Sequence, residues 1–532
     1  MSSPNEYTTM QTPMQPAFFP RDMLAGTIVF LVALPLCLGI ASASGVDPLA
    51  GLMSGMIGGL VVALLSGSQL SVSGPAAGLV VIVVDGIAKL GGFSAFLMAV
   101  LLSGVLQFAF GMLRAGRFAA YVPSSVIKGM LAAIGLLLII KQVPLALGFA
   151  RGDAAAAAGA IATPFGTVSP AAMAVTALSA AVLIGWETRA LRRFLLVRAL
   201  PAPLVVVALG IGVTLLLDAV ASGFAPPVEH RVGLPSLASF GALFDALQSP
   251  SLDALTNPDV WQLALALAIV ASLETLLSLE AVEQIDPKKR TAPADRELKA
   301  QGIGNMMAGV FGALPITSVI VRSSANVQAG AQSRWSAVMH GVLLLASVFT
   351  LTSIVNLIPL ACLATILIFT GFKLAKPSLF VAVARQGMER FAPFIVTIAG
   401  VLLTDLLIGI LMGIALSIAL AIRAHLRRSI VMARHHDHFL LSFRKDVSFM
   451  GKVPLKRCLA QVPDYTTLII DASRADYIDP DVRELVERFI EEAPSRGILV
   501  ERHHFDAVAP QPARASKPSM LSKLRLSRCP AR

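Results

Sequence analysis

Apolar residues in this chain run in blocks that are too long and too uniform for the half-buried helices of a globular core. From Met23 to Ile422 they recur in stretches close to the 20 or so residues needed to cross a bilayer. The pattern predicts about fourteen spans, near 21–41, 49–66, 69–89, 93–113, 124–148, 169–188, 202–220, 258–283, 297–314, 317–333, 335–355, 357–372, 391–405 and 406–424. A longer connection at 221–257, with Pro226, Pro227, Pro235 and Pro250, falls near the midpoint and divides the spans into two sets of seven. Beyond Arg428 the pattern changes. Phe439–Phe443, Thr467–Asp471 and Ile498–Val500 read as strands, and Val482–Glu492 as an amphipathic helix with Val482, Leu485, Val486, Phe489 and Ile490 on one face. Residues 436–505 therefore read as a small soluble α/β unit.

Composition agrees. The 532 residues are 56% hydrophobic and 14% charged, against about 25% charged in soluble domains. The net charge of +11 does not signal nucleic-acid binding, because the basic residues sit in short loops between apolar blocks. With the N-terminus inside, the inner loops carry Arg114, Arg117, Arg189, Arg192, Arg193, Arg198, Lys288, Lys289, Arg290, Arg296, Lys299, Arg334, Lys373, Lys376, Arg385 and Arg390. The outer side carries little beyond Lys89, Arg151 and Arg231. That asymmetry places both termini in the cytoplasm and requires an even number of spans. Cys37, Cys362, Cys458 and Cys529 are scattered, so neither a zinc site nor a disulfide framework is expected. The first apolar block is expected to be a span rather than a cleavable signal peptide.

Two spans are built unlike the others. Span 3 reads Gln69-Leu70-Ser71-Val72-Ser73-Gly74-Pro75-Ala76-Ala77-Gly78, and span 10 reads Thr317-Ser318-Val319-Ile320-Val321-Arg322-Ser323-Ser324-Ala325-Asn326. Each opens with a short polar or β-branched run and continues into small and hydroxyl residues. Ser73 or Ser323 is expected to cap a helix, and Pro75 to sit in a first helical turn. Interruptions at matching places in two halves point to a carrier's binding site. Seven spans per half inverts the second half, so two half-helices start near the midplane with their N-termini facing each other. Unpaired amides and positive dipole ends then converge on an anion, and Arg322 adds a full charge there. The expected anion-binding residues are Ser73, Gly74, Pro75, Ala76, Val321, Arg322, Ser323 and Ser324.

Glu274 lies inside span 8, where a carboxylate marks an ion or proton path, and Ser278 lies one turn on. Glu274 is expected to couple Na⁺ or H⁺, or to balance Arg322. Glu280 and Glu283 fall near the inner end. Pro35 is expected to kink span 1, and Lys128 and Lys141 to snorkel. No metal site or cofactor is expected beyond a coupling cation, no P-loop is present, and no hydrolytic triad is arguable, so an enzyme is not expected.

At these residues the chain resembles the SulP family, the sulfate-permease group of anion transporters. The matching segments are Val32-Ala33-Leu34-Pro35-Leu36, Ser73-Gly74-Pro75-Ala76, Leu273-Glu274-Thr275-Leu276-Leu277-Ser278, Gln301-Gly302-Ile303-Gly304-Asn305 and Val321-Arg322-Ser323-Ser324-Ala325. The resemblance implies a seven-plus-seven inverted repeat, a gate domain and a sliding core domain, a homodimer, and an anion held between spans 1, 3, 8 and 10. It also implies a multi-pass protein of the bacterial plasma membrane. The C-terminal unit resembles a STAS domain through Leu468-Ile469-Ile470-Asp471-Ala472-Ser473 and Tyr477-Ile478-Asp479; Pro480 stands where related proteins carry a phosphorylatable hydroxyl. Val321 replaces a hydroxyl residue found in several members, and the variety resembles bacterial members linked to bicarbonate.

The domains expected are a cytoplasmic tail at 1–20, a transporter domain at 21–425, a linker at 426–435, a STAS-like domain at 436–508 and a basic tail at 509–532. The expected activity is secondary active transport of bicarbonate or sulfate. A dicarboxylate or nucleobase permease of the same fold, or an anion channel or scaffold, is the alternative.

Overall fold

In an apolar medium a peptide group has no water to bond, so a helix that satisfies every group internally is the favoured local solution. The computed structural model follows that rule; it describes residues 19–116, 122–149, 169–188, 193, 200–220, 230–235 and 239–506. Among the described residues nine helices are long and apolar enough to cross a membrane. They are α1 (Phe19–Ala43), α2 (Pro48–Leu65), α4 (Phe93–Met112), α5 (Ser124–Ala146), α6 (Pro170–Glu187), α7 (Ala202–Val220), α8 (Pro258–Ile285), α12 (Leu360–Leu374, continued to Ala384) and α14 (Leu406–Ser429). The other five expected segments are shorter or interrupted. A strand β1 (Ser73–Pro75) and a 3₁₀ turn lead into α3 (Val80–Leu90). After α9 (Ala294–Val310), a strand β2 (Ile316–Ser318) leads into α10 (Ile320–Gln328). Next come α11 (Trp335–Thr350) and α13 (Met388–Leu403).

The helices pack through small residues, which let backbones approach closely when burial from water gives no drive. A Cβ on Gly302 would stand 2.6 Å from the Phe108 amide nitrogen, and one on Gly104 2.4 Å from that of Met306, so α4 and α9 meet almost backbone to backbone. Gly135 and Gly371 do the same for α5 and α12. The result is one group built on α1, α2, α4, α8, α9 and α11, and a second on α5, α6, α7, α12 and α13. Between α5 and α8 lies a cavity of about 620 Å³, lined by Pro123, Ser124, Ile127, Leu276, Leu277, Glu280 and Glu283 among others. Lys141 on α5 does not simply extend to an interface; its amine lies 3.2 Å from Asp85 of α3.

The chain divides within α14, at Ile414/Ala415. The second unit holds a four-stranded sheet in the order β3 (Ile430–His435), β4 (His438–Phe443), β5 (Thr467–Asp471), β6 (Leu499–His503). The first pair is antiparallel and the other two are parallel. Alternation in β5 buries Leu468 and Ile470, which meet Leu455 of α15 (Lys452–Leu459) and Val482 and Val486 of α16 (Pro480–Glu492) in one core. Asp479 caps α16 by accepting the Asp481 amide, and Pro480 takes the first helical position. Residues 426–435, expected as a linker, are instead the end of α14 and strand β3, which pairs along its whole length with β4. The sheet thus has four strands where three were expected. The basic tail, Pro226, Pro227, Arg117, Arg151, Arg189, Arg192 and Arg198 lie outside the described residues.

Hydrogen bonds from the Ser473 hydroxyl and amide hold the Asp471 carboxyl below the usual carboxylate range. A lowered folded pKa stabilises above the unfolded value, near 4, and that stabilisation is lost as pH falls through the folded value. Asp471→Asn is expected to lower the melting temperature of this unit at pH 7. The difference from the unaltered protein should close below about pH 3; a difference independent of pH contradicts the assignment.

Candidate anion-binding site

Where spans 3 and 10 are broken, the freed backbone groups must find partners inside the protein. They find each other. β1 and β2 form a three-pair antiparallel ladder, with Ser73 opposite Ser318, Gly74 opposite Thr317 and Pro75 opposite Ile316. Pro75 was expected in a helical turn, but it lies in β1; a two-stranded ladder tolerates a residue with no N–H at its edge.

The ladder is pinned by side chains from three helices. Asn305 of α9 accepts the Ile316 amide at 2.6 Å and donates to the Ile316 carbonyl at 3.0 Å. Thr275 of α8 accepts the Ser318 amide, and Asn326 of α10 donates to the Leu70 carbonyl. Ser323 was expected as a helix cap. It lies inside the first turn of α10, where its hydroxyl accepts the Val72 amide at 2.9 Å and donates to the Val319 carbonyl. Ser73 also caps nothing, since it is a ladder residue.

The two half-helices leave from opposite ends of this ladder, roughly 7 Å apart by strand rise. Neither start has a side-chain cap: Ala76 precedes the 3₁₀ turn Ala77–Leu79 and Val319 precedes α10, both in extended conformation. The first internal bonds are Leu79 N–H to Ala76 and Ser323 N–H to Val319. The amides of Ala77 and Gly78, and of Ile320, Val321 and Arg322, come before them and have no acceptor within their own helices.

Arg322 has 0% of its surface exposed. Its side chain turns back toward the helix start, as helical side chains do, and lies over Gly74. A Cβ there would stand 2.1 Å from Nη1. Nη2 reaches the Pro75 carbonyl at a long 3.5 Å, and Nε and Nη1 have no partner in the structure. Among the described residues no carboxylate forms an ion pair with it. In particular Glu274 does not balance it: its carboxylate rests against Gly78 at the other helix start, where a Cβ would come within 2.9 Å of Oε1.

The remaining expected residues are less central. Val321 is exposed on the opposite face of α10, and the Ser324 hydroxyl accepts from Gln328. Ser278 is buried one turn beyond Glu274. Pro35 is buried within an unbroken α1, where its missing N–H frees the Leu31 carbonyl.

Several buried side-chain atoms without partners belong to residues on or beside the ladder: Thr317 Oγ1, Arg322 Nε and Nη1, Asn326 Oδ1, Gln301 Oε1 and Glu274 Oε2. Of these, Arg322 Nε and Nη1 are donors with no acceptor, the kind of group an anion would satisfy. The roles of Gln301 and Asn305 were not read from the sequence. Their signal was present: Glu297, Gln301 and Asn305 are polar residues at helical i, i+4, i+8 spacing in an apolar span. Among the described residues no three His, Cys, Asp or Glu side chains gather to hold a metal ion.

Comparison with known proteins points the same way. The profile of the Sulfate permease family matches residues 19–399. A putative sulfate transporter, YvdB, of Bacillus subtilis (strain 168) is 29% identical over 399 residues, covering 74% of this chain and 71% of that protein. The bicarbonate transporter BicA of Picosynechococcus sp. is 25% identical over 360 residues, covering 66% of this chain and 61% of that one. The solved transmembrane domain of a cyanobacterium bicarbonate transporter BicA superposes with a TM-score of 0.63 at 24% identity, covering 75% of this chain and 98% of that domain. The overall structure of SLC26A9 superposes with a TM-score of 0.71 at 16% identity, covering 92% and 84%. With opposed half-helices, an unpaired buried arginine and this match over most of its length, the chain belongs to the Sulfate permease family and is a multi-pass membrane anion transporter.

Proposed function

We propose that the protein is a secondary active carrier of bicarbonate or sulfate, working by elevator-type alternating access and coupled to Na⁺ or H⁺. The observation that carries the site is Arg322. A fully buried cation with no ion-pair partner is costly at membrane depth, and an anion seated between the two uncapped helix starts offsets that cost. The amides of 77–78 and 320–322 and the Ser73 hydroxyl complete the site, with Gly74, Pro75 and Ala76 shaping it. Ser323 and Ser324 act through the backbone they hold. Glu274, with Ser278, takes the coupling cation at the opposite helix start. The cavity between α5 and α8 supports a substrate path along the boundary of the sliding and static groups. Loop charge supports cytoplasmic termini in a bacterial plasma membrane, with residues 430–506 as a STAS-like appendage. The likeness in sequence to the bicarbonate transporter BicA and to the putative sulfate transporter YvdB supports a substrate among the small oxyanions, and the family resemblance implies a homodimer.

Uptake of labelled bicarbonate and sulfate into proteoliposomes tests this. Arg322→Ala is expected to reduce uptake roughly 10- to 100-fold, the scale of a hydrogen bond to a charged group. Gly74→Ala is expected to do the same by displacing Nη1, while Gly212→Ala, with nothing within 4 Å of its Cβ, leaves uptake unchanged. Normal uptake by Arg322→Ala overturns the site. Glu274→Gln is expected to abolish the dependence of uptake on Na⁺ or pH, and Gly78→Ala to weaken it by crowding the carboxylate. An intact cation dependence in Glu274→Gln refutes the coupling role.

A further inference from the structure

Glu297 of α9 is a carboxylate with 0% of its surface exposed, and no step above uses it. Its Oε2 accepts the Ser66 hydroxyl, and its Oε1 accepts Gln301 Nε2 at 3.1 Å, one helical turn away. The same Nε2 donates to the Ser73 hydroxyl oxygen at 2.7 Å. These contacts form one directed chain from a buried carboxyl group to the ladder.

We infer that Glu297 and Gln301 are positioning residues that make the Ser73 hydroxyl a hydrogen-bond donor toward the transported anion. The argument is about polarity. Glu297 Oε1 accepts here, so the end of the Gln301 amide that faces Glu297 is its NH₂. The NH₂ is therefore also the group presented to Ser73. A hydroxyl that accepts from an amide keeps one proton to give, and that proton points away from the donor. Ser73 makes no other side-chain hydrogen bond in the structure and is 3% exposed, so its proton needs an acceptor supplied inside the protein. The neighbouring hydroxyl is already engaged: Ser318, opposite Ser73 in the ladder, pairs with Ser71. Gln301 Oε1, the end turned away from both contacts, has no partner, as expected of an amide held by its NH₂. A deprotonated oxyanion oxygen is an acceptor only and matches a site whose hydroxyl is committed to donation. Replacing the carboxylate by an amide removes the commitment, because Gln301 then faces a group that both donates and accepts.

The inference rests on the reading of Ser73 as an anion ligand, and the experiment separates the two. Initial uptake of labelled sulfate and bicarbonate is measured for Ser73→Ala, Glu297→Gln and the double variant. Ser73→Ala is expected to raise KM about tenfold with kcat little changed. Glu297→Gln is expected to raise KM roughly three- to tenfold, the lower part of the same range. In the Ser73→Ala background it should add less than about twofold, because both changes remove one interaction. Multiplying effects overturn the inference while leaving the site intact. An unchanged KM in Ser73→Ala overturns the site itself. Gln301→Met, of similar volume and without the NH₂, provides the same cycle if Glu297→Gln does not fold. Ser66→Ala removes the other partner of Glu297 and is expected to leave KM unchanged; a KM rise equal to that of Glu297→Gln marks the network as merely structural and also overturns the inference.

Discussion

The structure depends on what happens to peptide groups when a membrane helix is interrupted. Each freed N–H and C=O in an apolar interior costs several kcal/mol if left unpaired, on the order of the price of a lost helix turn. Pairing Ser73–Pro75 with Ile316–Ser318 satisfies the broken backbone of two spans at once. It also fixes two helix starts against each other at a set distance. Asn305, Thr275, Ser323 and Asn326 then hold the ladder from α8, α9 and α10. The proposed anion site follows from this backbone satisfaction: the amides left over are the ones at the helix starts, which no side chain caps.

Arg322 is the fixed positive charge of this arrangement, and Gly74 is what lets it lie there. Any side chain at 74 would occupy the position of Nη1. The symmetry-related helix start has the opposite partner, the Glu274 carboxylate against Gly78. One glycine on each side of the turn therefore admits one ionisable side chain, a guanidinium on one side and a carboxyl group on the other. The span 3 segment between them is common to both, so the coupling proposed above would act through it.

Much of this was legible in the sequence, and the failures are informative. Apolar blocks located the segments because a span must hold a fixed length of apolar chain. The half-helices were legible because small and hydroxyl residues replaced large apolar ones in two spans seven apart. The ladder was not, since it pairs positions more than 240 residues apart and three residues carry no periodicity. Pro75 was assigned to a helix because proline suits a first turn; it suits an edge strand equally well. Ser323 resembled a cap, yet it sits one turn too late and its hydroxyl serves Val72. Arg322 was placed correctly along the chain, but its complete burial over Gly74 follows from the ladder and could not precede it. The i, i+4, i+8 stripe of Glu297, Gln301 and Asn305 was readable and was overlooked.

The central claim is that backbone amides at two opposed helix starts, backed by Arg322, hold the anion. Hydrogen–deuterium exchange of the purified protein, with and without saturating sulfate or bicarbonate, tests it most directly. The account predicts slowed exchange confined to peptides covering 76–80 and 319–323, and no such protection in Arg322→Ala. Protection elsewhere, or none in these two segments under conditions that support transport, contradicts it.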